Sequence, residues 1–325
     1  MKKLSGALQP IKIPFHYDYV GVYLTNRCFL TCDYCITNHN DVEFIGNKKN
    51  NAELTGEQWI EGLNRLELPP GLPLTLQGGE PFLYKGIWSI LDNIRHPTDI
   101  LTALPQNVTV ENLKTLKTLE WNKRPAPYPT IRVSYHKGQN DYKELVPRIA
   151  ELQKIVNIGL FHIDHPGYPE EAEKVQALAK KYHIDFRLKE YLGWHNGKMY
   201  GNYVYPDAVA GKVVEKKVLC KNTVVPIGPE GYLYRCHSDL YHRRHNLALA
   251  HLLDENASFE DKFRPCNFYG LCSECDVKTK TNHMQVYGYT SVEIQFPDRK
   301  KSPKSDNSSL TKNTLSPSPR YNTPL

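Results

Sequence analysis

Three cysteines close to the start of the chain constrain its fold and chemistry more than any other feature. Cys28, Cys32 and Cys35 are spaced C-x3-C-x2-C and follow an apolar, strand-like run from Val20 to Leu24. Three thiolates on one loop can bind three irons of a [4Fe–4S] cluster and leave the fourth iron without a protein ligand. An open iron can bind a cofactor or substrate, so this spacing predicts chemistry as well as electron transfer.

A second motif, Leu-Thr-Leu-Gln-Gly-Gly-Glu-Pro, occupies residues 74–81. The cysteine loop reads Tyr-Leu-Thr-Asn-Arg-Cys-Phe-Leu-Thr-Cys-Asp-Tyr-Cys over residues 23–35, with the aromatic Tyr34 before the third cysteine. In this order the two motifs resemble the signature pair of the radical S-adenosylmethionine (radical SAM) superfamily. The alternative, a zinc knuckle or a disulfide, is disfavoured because structural zinc uses four ligands, usually in two Cys or Cys/His pairs.

The resemblance implies that S-adenosylmethionine (SAM) binds the open iron and is cleaved reductively to a 5′-deoxyadenosyl radical. It implies that the Gly-Gly-Glu turn meets the methionine amino group, with Glu80 accepting a charge-assisted hydrogen bond. Ser134 resembles a fourth-strand serine that contacts ribose or carboxylate. Thr102 is a weaker ribose candidate, because relatives often have Thr-Asn-Gly where this chain has Thr-Ala-Leu. The cofactor-binding residues implied in this way are Gly78, Gly79, Glu80, Ser134, Tyr34 and Thr102.

Short apolar runs alternate with amphipathic stretches between residues 18 and 194, which predicts an α/β fold with a parallel sheet and right-handed crossovers. Six strand–helix units match the partial (β/α)6, TIM-like barrel that the resemblance implies. Both motifs then lie at the carboxyl ends of strands, where such sheets bind ligands. A helix capped by Thr55 is predicted to carry Trp59, Ile60, Leu63 and Leu66. The other predicted elements are strands Val20–Leu24, Leu74–Leu76, Ile100–Leu104, Ile131–Ser134, Ile158–Ile163 and Phe186–Leu188, and helices at 84–95, 109–119, 141–155 and 169–182.

The other five cysteines lie between residues 220 and 275. Cys220 and Cys236 fit the spacing C-x10-G-x4-C around Gly231, which resembles the opening of the SPASM and twitch domains that carry auxiliary iron–sulfur clusters. Five cysteines can fully ligate one cluster, so a single-cluster, twitch-like domain is expected. The expected ligands are Cys220, Cys236, Cys272 and Cys275, with Cys266 as a substitute ligand or a spare thiol.

Tetrahedral zinc on the same cysteines, with His237, His242 or His245, is the alternative for this region. In relatives an auxiliary cluster can accept an electron from a substrate radical or ligate the substrate. The candidate catalytic residues are His237, Glu190 and Arg132, although polar residues at the ends of strands are more often structural. His237 is the strongest of them because it directly follows a cysteine.

The composition favours a cytoplasmic enzyme. No apolar run approaches the roughly 18 residues of a membrane span, and the N-terminus lacks the apolar segment of a signal peptide. Eight cysteines intended to stay reduced for metal binding fit the same compartment. Of the net charge of +6, residues 298–325 contribute +4 from six basic and two acidic side chains. This Ser/Pro-rich tail is predicted to be disordered, and nucleic-acid binding is disfavoured.

The predicted organisation is an N-terminal extension at 1–17, a radical SAM partial barrel at 18–199, an auxiliary cluster domain at 200–297 and a tail at 298–325. The predicted reaction is hydrogen abstraction from an unactivated carbon of a small molecule such as a sugar or aminocyclitol, with a flavodoxin- or ferredoxin-type electron donor. Only 19 residues precede the first predicted strand, where peptide-modifying relatives often carry a leader-binding domain. A ribosomal-peptide maturase is therefore the second expectation, and a non-catalytic iron–sulfur or zinc-binding module is the alternative from another class.

Overall fold

The computed structural model describes residues 8–35, 52–115, 126–280 and 290–297. The helices in these ranges are α1 (Gly56–Asn64), α2 (Ile87–Asn93), α3 (Val110–Lys114), α4 (Tyr142–Leu152), α5 (Glu171–Lys181), α6 (His237–Tyr241) and α7 (Glu274–Val277). The strands are β1 (Ile11–Lys12), β2 (Tyr19–Thr25), β3 (Leu66–Glu67), β4 (Leu74–Gly78), β5 (Thr98–Thr102), β6 (Ile131–Tyr135), β7 (Ile158–Asp164), β8 (Asp185–Glu190), β9 (Gly193–His195), β10 (Lys198–Tyr200), β11 (Val218–Asn222), β12 (Val224–Ile227), β13 (Tyr232–Leu233), β14 (Ala250–His251), β15 (Arg264–Cys266) and β16 (Val292–Gln295).

A nine-stranded sheet forms the centre of the molecule, in the order β14-β13-β12-β2-β4-β5-β6-β7-β8. The six strands from β2 to β8 in this order are mutually parallel. They correspond to the six predicted strands, and helices lie between them along the chain. The predicted α/β fold with a large parallel sheet is therefore confirmed, while its closure into a partial barrel stays a prediction.

The two faces of this sheet have opposite character because side chains alternate along each strand. One face carries apolar residues such as Val22, Leu76 and Leu160, which belong to the main core under the helices. The opposite face, here called the inner face, is also buried: Asp99 is 0% and Arg132 is 3% exposed. The side chains of the inner face include Tyr19, Tyr23, Gln77, Asp99, Arg132, Ser134, Phe161 and Lys189.

The C-terminal part of the chain adds strands to this sheet. β12 pairs in parallel with β2, from Val224 opposite Tyr19 to Ile227 opposite Val22, and β13 and β14 continue the sheet in antiparallel fashion. A separate antiparallel sheet, β15-β11-β16, packs a smaller apolar core of its own. The predicted auxiliary region therefore contributes both to the main sheet and to a second small core. The predicted disordered tail lies outside the described residues, and none of the described helices has the length and apolarity that a membrane span requires.

Helix α1 begins as predicted. The Thr55 side chain accepts from the Gln58 N–H and the Gln58 side chain accepts from the Thr55 N–H, which completes the predicted capping box. The helix ends at Asn64, and Leu66, which was predicted to lie on its buried face, instead pairs with Ile11 in the short β1–β3 ladder. Leu66 is fully buried in this strand, as it would also be on the buried face of the helix. The spacing of apolar residues therefore could not tell helix from strand at this position.

Arg65 connects three segments of the chain just after this helix. Its side chain is buried, and Nε donates to the Gln9 carbonyl oxygen at 2.6 Å. Nη1 donates to the carbonyl oxygens of Leu252 at 2.9 Å and Asp254 at 2.7 Å. One guanidinium thus holds the N-terminal segment and the chain after β14 against the end of α1.

Replacing Arg65 by Met should lower the free energy of unfolding by about 3 kcal/mol, because three carbonyl acceptors would lose a charged donor. The control is Arg95→Met, at an exposed position, which should change stability by less than about 0.5 kcal/mol. Urea unfolding of both variants measures the difference. Equal stability of the two variants would show that the Arg65 contacts contribute nothing.

Candidate active site

The two sequence motifs lie against each other at the carboxyl ends of β2 and β4. The backbone N–H of Gly79 donates to the Thr25 carbonyl oxygen at 2.9 Å, and that of Glu80 donates to the Arg27 carbonyl oxygen at 2.7 Å. These bonds continue the β2–β4 pairing beyond the last ladder pair, Thr25 opposite Gly78. The Gly-Gly-Glu turn therefore holds the base of the three-cysteine loop.

The absence of side chains at the two glycines permits this contact. A Cβ atom on Gly79 would lie 2.2 Å from the Arg27 carbonyl oxygen, and one on Gly78 would lie 2.3 Å from the Thr25 carbonyl oxygen. Gly78 also has φ of +133°, which residues with a side chain rarely adopt. The structure thus shows that the two glycines let the turn approach the backbone of the cysteine loop. Their contact with the methionine amino group of SAM stays a prediction.

The three cysteines of the loop are close neighbours. Cys32 is buried, and Cys28 and Cys35 are half-buried beside it in a small apolar cluster with Leu30 and Ala103. Burial, together with the nearby thiol groups of Cys35 and Cys28, raises the pKa of Cys32 to about 12. None of the three forms a disulfide. Three thiols gathered on one loop in apolar surroundings are a donor set that fits an iron–sulfur cluster with three protein ligands.

Glu80 joins the ends of two strands. Its carboxylate is 1% exposed and accepts hydrogen bonds from Phe82 N–H at 3.1 Å, Thr102 Oγ1 at 2.8 Å and Ala103 N–H at 2.7 Å. Burial raises the pKa of Glu80 to about 7, although these hydrogen bonds act in the opposite direction. A carboxylate has roughly four acceptor positions, so one remains for the predicted ammonium contact.

Thr102 and Ser134 differ in what they can offer a ligand. Thr102 is buried, and its hydroxyl donates to Glu80 and accepts from Leu104 N–H at 2.8 Å, so both of its roles are used within the protein. Ser134 lies half-buried on the inner face, opposite Phe161 in the β6–β7 ladder. Its hydroxyl is hydrogen-bonded to none of the described residues. Of the two predicted ribose contacts, Ser134 is thus the one open to a ligand.

Tyr34 belongs to a cluster of rings beside the cysteine loop. Its hydroxyl lies 3.0 Å from His136 Nδ1, and its ring centroid lies 5.0 Å from that of His165. Tyr191 and His195 contact the same His165 ring at 4.9 and 4.8 Å between centroids. His136, Tyr191 and His195 were not predicted as site residues, because they share no spacing pattern in the sequence.

Four of the five remaining cysteines are gathered in one place. The thiols of Cys220 and Cys266 are hydrogen-bonded to each other, and the thiol groups of Cys272 and Cys236 lie near enough to raise the pKa of Cys220 further. Cys275 lies apart from this contact, near Lys189 and Lys278. Among the described residues, no three His, Cys, Asp or Glu side chains are arranged to hold a single metal ion. The structure thus places Cys266 beside Cys220, whereas the sequence analysis preferred Cys275 as the fourth ligand.

The three catalytic candidates have different surroundings. His237 is buried, its Nδ1 lies 2.8 Å from Asp276 Oδ1, and its ring is 6.2 Å from that of Tyr23 on the inner face. Arg132 also lies on the inner face. Glu190 accepts from Asn202 Nδ2 at 2.6 Å, and the strand alternation points it to the opposite side of β8 from the inner face. The structure therefore brings His237 and Arg132 to one face without Glu190.

Two cations lie on the inner face. Arg132 Nη2 is 3.6 Å from Asp99 Oδ2, and its guanidinium carbon is 5.0 Å from the centre of the Tyr128 ring. Lys189 Nζ is 4.8 Å from the centre of the Phe161 ring. Burial and the charges of Arg132 and Lys278 lower the pKa of Lys189 to about 7. The sequence analysis did not select Lys189, although its place between the outward-facing Leu188 and Glu190 already directs it to the inner face.

Replacing Gly79 by Ala should destabilise the protein by about 2 kcal/mol or more, because the new methyl group meets a backbone carbonyl that cannot move without breaking the strand pairing. The matched control is Gly56→Ala, whose nearest neighbour would be 3.8 Å away, and it should be nearly neutral. Urea unfolding compares the two variants. A neutral Gly79→Ala would mean that the loop and the turn are not held together as described.

Comparisons with known proteins found a curated relative and a distant structural likeness. No protein-family model matches the chain. Over 153 residues the chain is 26% identical to GTP 3′,8-cyclase of Geobacter sulfurreducens, a radical SAM enzyme, and this match covers 47% of the chain and 44% of that protein. The fold is distantly similar to the crystal structure of Streptococcus suis SuiB bound to S-adenosylmethionine, with a TM-score of 0.36 and 16% identity. This similarity covers 71% of this chain and 61% of SuiB. The chain spans less than half the length of the curated relative.

Proposed function

We propose that this protein is a radical SAM enzyme that abstracts hydrogen from an unactivated carbon of a small molecule. One observation carries the proposal: the three-cysteine loop is hydrogen-bonded to the Gly-Gly-Glu turn at the carboxyl ends of two adjacent parallel strands. Ligands of parallel α/β sheets bind at this end. The same end of the sheet carries Ser134 and the ring cluster around Tyr34.

The thiolates of Cys28, Cys32 and Cys35 would hold a [4Fe–4S] cluster on this loop. When bound, such a cluster supplies the electron that cleaves SAM to methionine and a 5′-deoxyadenosyl radical. The remaining acceptor position of Glu80 would orient the SAM ammonium group, and the Ser134 hydroxyl would bind its ribose or carboxylate. The buried inner face would exclude water from the reacting groups.

His237 is the proposed acid–base residue of the reaction. Its contact with Asp276 at Nδ1 directs a proton to that nitrogen, which leaves Nε2 as the acceptor for a proton of the substrate. Its backbone N–H also donates to Asp276 Oδ2 at 3.0 Å, so the two residues are held together at two points. A proton acceptor beside the inner face would suit a reaction that oxidises its substrate.

The second cysteine group is proposed to hold one auxiliary [4Fe–4S] cluster. Cys220, Cys236 and Cys272 belong to the ligand set in either assignment, and the thiol contact with Cys220 favours Cys266 over Cys275 as the fourth. A protein that depends on two such clusters would require a reducing compartment, such as the cytoplasm, and a flavodoxin- or ferredoxin-type donor. Zinc at the second site is the alternative that the metal analysis below separates, and a peptide substrate is the alternative to a small molecule.

The anaerobically reconstituted protein, reduced with dithionite, should convert SAM into 5′-deoxyadenosine and methionine. Replacing Cys28, Cys32 and Cys35 together by Ala should abolish the nucleoside product, because no ligand of the first cluster remains. Asp33→Asn, at an exposed position in the same loop, serves as the control and should retain cleavage. Chromatography with mass spectrometry measures both products. Undiminished cleavage by the triple variant would refute the proposal, and the absence of cleavage by wild type would favour a non-catalytic module.

Iron analysis tests the second cluster. Wild type should bind about eight irons per chain and the triple Ala variant about four, because each cluster contains four irons. Cys266→Ser should lose as much auxiliary iron as Cys272→Ser, whereas Cys275→Ser should retain it. The reverse result would restore Cys275 as the fourth ligand. Stoichiometric zinc with about four irons in wild type would replace the auxiliary cluster by a zinc site.

A further inference from the structure

We propose that the inner face of the sheet binds an anionic group of the substrate, a phosphate or a carboxylate, and that Lys189 Nζ is its main partner. This inference rests on the proposed function and gives the substrate class that the proposed function leaves open. Three observations carry it: the surroundings of Lys189, the buried donors on the same face that lack hydrogen bonds among the described residues, and the charges near Lys189.

Lys189 is a basic side chain without an ion-pair partner among the residues that the structure describes. It lies in β8, and its ammonium group lies over the Phe161 ring at 4.8 Å from the centroid. Among the described residues it forms no hydrogen bond and no ion pair. The charged side chains that act on it most strongly are both cationic, Arg132 and Lys278. A cation in such surroundings is costly unless something of opposite charge binds there.

Two other side chains of the inner face also present donors without acceptors. Nε and Nη2 of Arg132 are buried and hydrogen-bonded to none of the described residues, although the residue is only 3% exposed. Gln77 Nε2 is likewise buried and has no hydrogen-bond partner in the part of the chain that the structure describes. All of these atoms are hydrogen-bond donors. The complementary ligand is a group with several acceptor oxygens, such as a phosphate or a carboxylate.

The carboxylates near this face do not neutralise these cations. Asp99 is the acidic partner of Arg132 at 3.6 Å, and it also accepts from the Tyr128 hydroxyl at 2.8 Å. Asp276 is engaged by His237. Glu190 accepts from the neutral Asn202 amide and lies near Lys278, and Asp18 is paired with Lys280. Among the described residues no carboxylate forms an ion pair with Lys189, which leaves its positive charge for an anionic ligand.

Two other anions could occupy this position. The carboxylate of SAM has the same chemistry, and an auxiliary cluster ligated by Cys275 would place negative charge near Lys189. The substrate is favoured because the unpaired donors extend across the sheet, from Gln77 on β4 through Arg132 on β6 to Lys189 on β8.

The test titrates the reconstituted protein with inorganic phosphate, and separately with malonate, at constant ionic strength, and follows the melting temperature. At least one of the two anions should raise the melting temperature of wild type. Lys189→Met should weaken that anion's binding by at least tenfold, while Lys189→Arg should largely preserve it. Lys189→Met should also melt several degrees higher than wild type in the absence of the anion, because a basic group without an ion-pair partner is removed from the inner face. Lys180→Met, at an exposed position on α5, is the control and should match wild type in all these respects.

Three results would overturn the inference. The first is that neither anion binds, or that both bind wild type and Lys189→Met equally. The second is a tenfold or greater loss of SAM affinity in Lys189→Met, measured by equilibrium dialysis, which would assign the lysine to the cofactor. The third is a loss of auxiliary iron in Lys189→Met, which would assign it to the cluster. If wild type binds phosphate or malonate through Lys189 but does not cleave SAM, the anion site stands and the proposed function fails.

Discussion

Two backbone hydrogen bonds, from Gly79 to Thr25 and from Glu80 to Arg27, hold the three-cysteine loop at the carboxyl ends of two parallel strands. A loop that carries three thiols has no core of its own, so its position depends on what holds its base. Here the base continues the pairing of two parallel strands, whose positions depend on a buried apolar face. A methyl group at either glycine would meet a carbonyl oxygen of the loop. Glu80 then extends the connection to a third strand through Thr102 and Ala103.

The inner face illustrates a conflict between stability and function. A parallel sheet covered on both faces normally carries apolar side chains on each of them. This one instead carries the buried Arg132 and Asp99 and the half-buried Lys189. Unpaired donors on such a face reduce the stability of the empty protein. Residues of this kind are retained when activity requires them. The same conflict explains why Lys189→Met is expected to melt at a higher temperature while losing a ligand.

The C-terminal cysteine region is joined to the parallel sheet in two ways. Through β12 it extends the sheet beside β2, so its position is linked to the strand that leads into the first cysteine loop. It also brings residues to the inner face, since the hydroxyl groups of Tyr241 and Tyr23 lie 3.2 Å apart. The sequence analysis divided the chain at residue 200 because the composition changes there, and composition carries no information about which strands pair.

The sequence by itself determined the six parallel strands, the capped start of α1 and the pairing of two motifs, because each depends on local signals: alternation of apolar residues, a capping box, and thiols or glycines at fixed spacing. Only the tertiary structure decided that Leu66 leaves the helix, that the hydroxyl of Thr102 is used by Glu80, and that Cys266 lies beside Cys220. It alone brought Lys189, Arg132 and Gln77 to one face. These outcomes depend on contacts between residues far apart in the chain. The spacing of apolar and polar residues along the sequence does not change with the partner that a side chain contacts, so it cannot predict that partner.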